Sequence, residues 1–199
     1  DLGAEPLPVV SCGLACQFES TECVEVHDLE PYIQDAIDLI EFEEFEQHHA
    51  DYILQKLDAF PIKVKRDVSY LNWRYKLKPA VVYKKFFLDI EGQKALFVTK
   101  IYPSSKTEKY DLNIVECFMD DYSMIHSCIY KIMQVYNLDF DRITLWKNLF
   151  DKDHSKLERQ GFVPMLPQTY LGARIHNSMP SNFSNYKDWF ITMGDSDVF

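Results

Sequence analysis

The chain has 199 residues, 47% apolar and 15% aromatic, enough to bury the core of one domain with a small appendage. That composition excludes disorder as the main state. A net charge of −10 and a pI near 5.0 exclude a whole-domain nucleic-acid binder, which needs a basic field. No apolar run reaches the length of a membrane span, and no signal-peptide pattern opens the sequence. A first residue of Asp1 rather than Met reads as processing or as an excerpt from a longer chain.

Residues 1–26 carry no helical period, and Val9-Val10 and Val24–Val26 read as short extended pieces around a turn at Gly13. From Asp28, apolar residues recur by threes and fours from Leu29 to Phe60. That spacing predicts an amphipathic helical arm, broken near the acidic FEEFEQHH segment and ended by Pro61. Tyr83–Asp89 and Lys94–Tyr102 read as two strands joined at Glu91-Gly92, followed by a polar loop from Pro103 to Lys109. Tyr110–Met119 is a third strand, Tyr122–Tyr136 a helix, and Arg142–Trp146 a strand. A helix over His154–Gln160 is closed by Gly161, and extended pieces follow at Ala173–Ser178 and Trp189–Met193. Antiparallel strands passing into helix crossovers define an α+β fold, a mostly antiparallel sheet with helices on its faces.

The cysteines read as reduced thiols, Cys117 and Cys128 within apolar segments, which places the protein in the cytoplasm. Cys12, Cys16, Cys23 and His27 have C-x3-C-x6-C-x3-H spacing, which offers four soft ligands for zinc. Unpaired structural thiols are preferred, because the spacing is not the common C-x2-C hairpin. His48 and His49 point about 100° apart on a helix and do not share a metal easily. No metal is expected. Strict alternation through strand 110–119 puts Glu116 on one face with Leu112, Ile114 and Phe118. A carboxylate there has its pKa raised by burial, toward the range of a general base; a register error or an edge position is the plainer reading. Asp195 and Asp197 in the final GDSD turn offer two carboxylates for a cation or an amine, or simply end a strand. Arg66 to Tyr83 is rich in aromatic and basic residues, which also fits rings packed on one side of a sheet under Arg and Lys stems.

The stretch Asp67 to Tyr83, D-x-x-Y-L-N-W-R-Y-x-x-x-P-x-x-x-Y, resembles the opening segment of a bacterial group in the GNAT (GCN5-related N-acetyltransferase) superfamily. The tail Trp189 to Asp197, WFITMGDSD, is similar to the end of that group, and Leu157 to Phe162 is similar to the superfamily's helix-ending G-F motif. The resemblance covers about residues 62–199 as a GNAT-like domain, with 1–61 as linker and helical arm. It implies the C-terminal half of a tandem protein with a preceding GNAT-like half as partner. The implied activity is acyl transfer from acetyl-CoA to an amine, often a small molecule. Glu116 is then the general base. The backbone of Val115, Glu116 and Cys117 holds the pantetheine arm, and the amides of Tyr122, Ser123, Met124 and Ile125 hold the pyrophosphate. Trp73, Arg74, Tyr75, Asp195 and Asp197 line the substrate side. No nucleic acid or membrane partner is implied, and the arm at 28–60 could form a homodimer.

Two departures from the family pattern fall at the chemistry. The phosphate loop Asp120–Met124 has no glycine and brings two carboxylates, a like-charge cost of several kcal/mol unless a counter-ion intervenes. Leu157 stands where a tyrosine general acid is usual. These make a catalytically silent, ligand- or partner-binding module the alternative.

Overall fold

A computed structural model of the protein describes residues 10–12, 15–19, 37–148, 151–165, 171–173 and 186–196. Nine strands fall within it. β1 (Val10–Cys12) pairs with β9 (Leu171–Ala173), and the rest form one sheet. In that sheet lie β2 (Ala15–Glu19), β3 (Ile40–Phe42), β4 (Lys84–Ile90), β5 (Gln93–Pro103), β6 (Tyr110–Met119), β7 (Phe140–Asn148) and β8 (Val163–Met165). Their order is β3-β4-β5-β6-β7-β2-β8. Every neighbouring pair is antiparallel except β6 and β7, which run parallel. The expected mixed, mostly antiparallel α+β sheet is the observed one.

The β4–β5 hairpin turns where the sequence marks it. Glu91 and Gly92 both have positive φ, 51° and 82°, the conformation that matches strand twist in a two-residue hairpin. α3 (Ile125–Tyr136) crosses from β6 to β7 and ends at Asn137 in the left-handed region. Its apolar stripe, Ile125, Cys128, Ile129 and Ile132, packs with Leu112, Ile114 and Ile143 in one core cluster. α4 (His154–Arg159) adds Leu157 to that cluster, and Gly161 follows at φ 82°. The opposite face of the sheet is covered by α1 (Gln47–Leu57) and α2 (Val68–Tyr75), with Phe190 and Met193 from the tail. Among the described residues no helix is long and apolar enough to cross a membrane.

Two expectations about local structure change. Of the expected arm, residues 29–36 lie outside the described residues, Ile40–Phe42 is an edge strand paired with Phe87–Lys85 rather than helix, and the helix after the expected break runs Gln47–Leu57. Pairing with the exposed edge of β4 overrides the three-four spacing there. Residues Val24–Val26, Asp28 and 174–178, with Cys23 and His27 of the zinc pattern, lie outside the described residues. The stretch from Arg66 packs Tyr75 and Tyr83 on one side of the sheet as expected, but much of it is helical. It holds α2, started by Asp67, whose Oδ1 accepts the Tyr70 N–H at 2.9 Å. That helix buries Leu71, Arg74 and Tyr75 and leaves Trp73 outside.

α1 begins on a titratable contact. His49 Nδ1 accepts the Glu46 N–H at 3.1 Å, and the ring stacks on Phe42 with centroids 4.1 Å apart. Burial, with His48 alongside, lowers its pKa to about 4. A histidine depressed in the folded state charges more readily when unfolded, so its neutral form contributes stability that is lost as pH falls from about 6.5 to about 4. The loss expected by pH 4.5 is about 2 kcal/mol, less than the full shift implies because that pH still lies above the folded value of about 4. Urea denaturation at pH 7 and pH 4.5 checks this: His49→Gln should flatten the difference, and an unchanged difference would remove His49 as its source.

Candidate functional site

The site is set by an irregularity in β6. Val98 pairs with Glu116 but Thr99 pairs with Ile114, so Val115 has no partner and forms a β-bulge. One extra residue reverses the faces beyond it. Leu112 and Ile114 stay in the cluster under α3, while Glu116 and Phe118 turn to the opposite face with α1 and α2. The strict alternation that groups Glu116 with Leu112 and Ile114 is therefore broken at Val115.

Glu116 on this face is sealed. Its side chain and that of Arg66 have no exposed area. Glu116 Oε1 accepts from Arg66 Nε at 2.9 Å and from Tyr75 Oη at 2.6 Å, while Oε2 is buried with no protein partner. Arg66 also donates Nη2 to Asp195 Oδ2 at 2.7 Å and to Thr192 Oγ1 at 3.0 Å. Burial alone would lower Arg66, but Glu116 and Asp195 outweigh it and keep the guanidinium charged. Burial raises Glu116 above the ordinary carboxylate range against the pull of Arg66. The tail closes over this pair: Thr192 caps a 3-10 turn at Met193–Asp195, and Asp195 Oδ2 accepts the Thr192 N–H at 2.9 Å. Arg74 pins the same turn, donating Nε to Gly194 O at 2.9 Å and Nη2 to Ser196 O at 2.6 Å.

Beyond the bulge the parallel pair parts. Pairing of β6 with β7 ends at Ile114–Leu145, although the strands continue to Met119 and Asn148. Val115, Cys117, Trp146 and Lys147 line the gap with Phe190–Thr192 of the tail, and only about 10 Å³ remains there, room for at most one water. The gap opens onto a cavity of about 450 Å³. Phe60, Phe118, Met119 and Phe190 give it apolar surface, and Lys56, Lys147, Lys152, Lys156 and Lys187 line it with Asp120, Asp151 and Asp153. Lys147 is buried, donating Nζ to Tyr122 Oη at 3.0 Å and facing Asp151 Oδ2 at 2.8 Å. Burial pushes the Cys117 thiol up to about 12.

The start of α3 is not an open anion cradle. Asp121 Oδ1 accepts the Ser123 N–H and Oδ2 the Ser123 hydroxyl, both at 2.8 Å, which holds Asp121 below the ordinary carboxylate range. The Ile125 N–H goes to Tyr122 O. Asp120 bonds Lys56 and accepts the Lys94 N–H at 2.7 Å, and these bonds outweigh the effect of burial to keep it ionised. Lys56 is thus the counter-ion the sequence leaves unnamed. Leu157 is fully buried in the core and has no access to the gap.

The candidate residues fall into three groups. Tyr75, Glu116 and Asp195 meet in one buried network with Arg74 beside them. Val115, Cys117 and Tyr122 border the gap between the strands. Trp73, Arg74 and Asp195 line a separate cavity of about 560 Å³ with Val64, Tyr70 and Leu77. Ser123 lies on the exposed side of the 3-10 turn, with Met124 half-buried and Ile125 in the core. Asp197 lies outside the described residues. Sequence reasoning missed Arg66 as a partner, Thr192, and the lysines of the cavity. Arg66 sits 50 residues from Glu116 and 129 from Asp195, beyond any local pattern. Among the described residues no group of three His, Cys, Asp or Glu side chains converges as a metal site.

No protein-family model matches the chain, and no curated protein matches it. Among solved structures it is similar to the crystal structure of a GCN5-related N-acetyltransferase from Anabaena variabilis ATCC 29413. The TM-score is 0.54 with 11% identity, over 81% of this chain and 39% of that one, so this chain spans well under half of the other's length. At that identity the likeness establishes the fold, and the fold is GNAT-like.

Gly194 gives a direct test of the buried network. A Cβ added there would run into Tyr75 Oη and come within 2.5 Å of Glu116 Oε1. Gly194→Ala should cost about 1–3 kcal/mol of stability in chemical denaturation. A loss below about 0.5 kcal/mol would mean that the tail does not press on Glu116.

Proposed function

We propose that this chain is a GNAT-like acyltransferase domain that transfers an acyl group from acetyl-CoA to an amine. The observation carrying the reading is the parting of β6 and β7 after Ile114 and Leu145. The bulge at Val115 stands at its apex, and its mouth is lined by more lysines than aspartates in a chain of net charge −10. The lining suits a ligand with an apolar arm and an anionic end, and acetyl-CoA is one. Val115 to Cys117 would hold the arm, and the thioester supplies the activated acyl carbon. The amine would enter by the cavity beside α2, where Trp73 offers a ring face and Asp195 Oδ1 is a buried acceptor with no protein partner, and the turn at Met193–Asp195 must yield for it to reach the gap, since the two share no lining residue.

Glu116 is better suited to positioning than to proton abstraction. A general base must reach the proton it takes, and this carboxylate lines neither cavity and lies against Arg66, Tyr75 and Gly194. That same sealing favours the second reading, a silent module that binds the ligand without turning it over.

Calorimetric titration with acetyl-CoA, followed by assay of thiol release with a panel of amines, separates the readings. The acyltransferase reading expects saturable binding below about 1 mM and amine-dependent thiol release. Binding without release over the panel would favour the silent module. No heat of binding at all would exclude both as acetyl-CoA proteins.

A further inference from the structure

We propose that the ligand of the cavity beside α2 is a small amine with an apolar, ring-bearing body and a single ammonium group. The inference rests on the acyltransferase reading only for this amine's being the acyl acceptor; its binding follows from the cavity alone.

The first ground is the wall. Seven large apolar side chains are exposed among the described residues, and three of them, Val64, Trp73 and Leu77, border this one cavity. Apolar side chains left in water singly need no explanation, but a group of them around one concavity marks a binding surface. Trp73 and Leu77 are 60% and 66% exposed, so neither is spent on the protein's own core. Tyr70 adds a second ring, its centroid 5.8 Å from that of Trp73 and its plane inclined by 47°. Two rings at that angle offer a ligand ring a face and an edge together. The volume of about 560 Å³ has room for such a ring on a short chain.

The second ground is the carboxylate behind that wall. One guanidinium, Arg66, serves two carboxylates, Glu116 through Nε and Asp195 through Nη2. Asp195 Oδ2 takes that bond and the Thr192 N–H, while Oδ1 is buried with no protein donor. A buried carboxylate oxygen without a donor is costly, and an ammonium answers it better than a hydroxyl because the bond is charge-assisted. Yielding of the Met193–Asp195 turn, which the amine requires in any case, brings Oδ1 to it. Asp195 is the one carboxylate among the described residues of the lining. The other charged side chains there, Arg74 and Lys78, are donors and have no acceptor to offer. A second ammonium on the ligand would be desolvated against the apolar wall with no carboxylate to meet it. An apolar monoamine fits where a polyamine does not.

The test titrates phenylethylamine, its neutral counterpart phenylethanol, and spermidine calorimetrically into the whole chain without acetyl-CoA. Phenylethylamine should bind at least about tenfold tighter than either of the others. Trp73→Ala, at an exposed position, should weaken its binding about tenfold. Asp195→Asn should bring the amine and the alcohol within about threefold of each other. Melting curves establish that each variant is folded; if Asp195→Asn is not, the ligand comparison and Trp73→Ala decide. Equal or tighter binding of spermidine or phenylethanol, an unchanged affinity in Trp73→Ala, or no binding of phenylethylamine to the wild type would overturn the proposal. Phenylethylamine binding by a protein that does not bind acetyl-CoA would leave this cavity's ligand class standing and remove the acyltransferase reading alone. Thiol release with spermidine and none with phenylethylamine would do the reverse.

Discussion

The interaction on which the rest depends is the buried pair of Arg66 and Glu116. It ties the segment before α2 to the strand that carries the bulge, and through Asp195 and Thr192 it ties both to the tail. Two charges without exposed area are expensive to desolvate, and only good geometry repays them. Here Arg66 spends three of its donors on two carboxylates and a hydroxyl, and Tyr75 adds a fourth contact to the cluster. Losing Arg66 would strand both carboxylates, so the contacts of this one guanidinium tie the tail, the segment before α2 and β6 together.

That unit determines what the gap between β6 and β7 can do. The bulge turns Glu116 away from the α3 side, so the strand presents Val115 and Cys117 to the gap and keeps its carboxylate for Arg66. The tail segment Phe190–Thr192 then lies along the gap and narrows it, while the wider cavity stays open at the mouth. Charge is arranged in the same sense. At the start of α3 Asp120 is neutralised by Lys56 and Asp121 is hydrogen-bonded by Ser123, and lysines from separate parts of the chain line the cavity at the open end.

Much of this fold is legible in the sequence because it is local. The Glu91-Gly92 hairpin, the bounds of β6, the apolar stripe of α3 and the stop at Gly161 each follow from period or turn chemistry within a dozen residues. The motifs at Asp67–Tyr83 and Trp189–Asp197 point to a GNAT-like sheet, and the structural likeness agrees at the level of fold. What escaped was non-local. The edge strand Ile40–Phe42 has helical spacing and is a strand only because β4 offers an edge. The face of Glu116 depends on a single unpaired residue, Val115, which no alternation rule reveals. The cavity lysines are scattered over more than 130 positions, and only the folded chain brings them together.

The coupling between Arg66 and Glu116 holds the site together. A double-mutant cycle of Arg66→Met and Glu116→Leu, read by urea denaturation, measures it. Arg66→Met strands Glu116 and Asp195 and should lose about 3–5 kcal/mol, while Glu116→Leu leaves Arg66 paired with Asp195 and should lose less. The double variant should recover part of that loss, with a coupling energy of about 2–3 kcal/mol. Additive losses, within about 0.5 kcal/mol, would contradict the claim that this pair holds the site together.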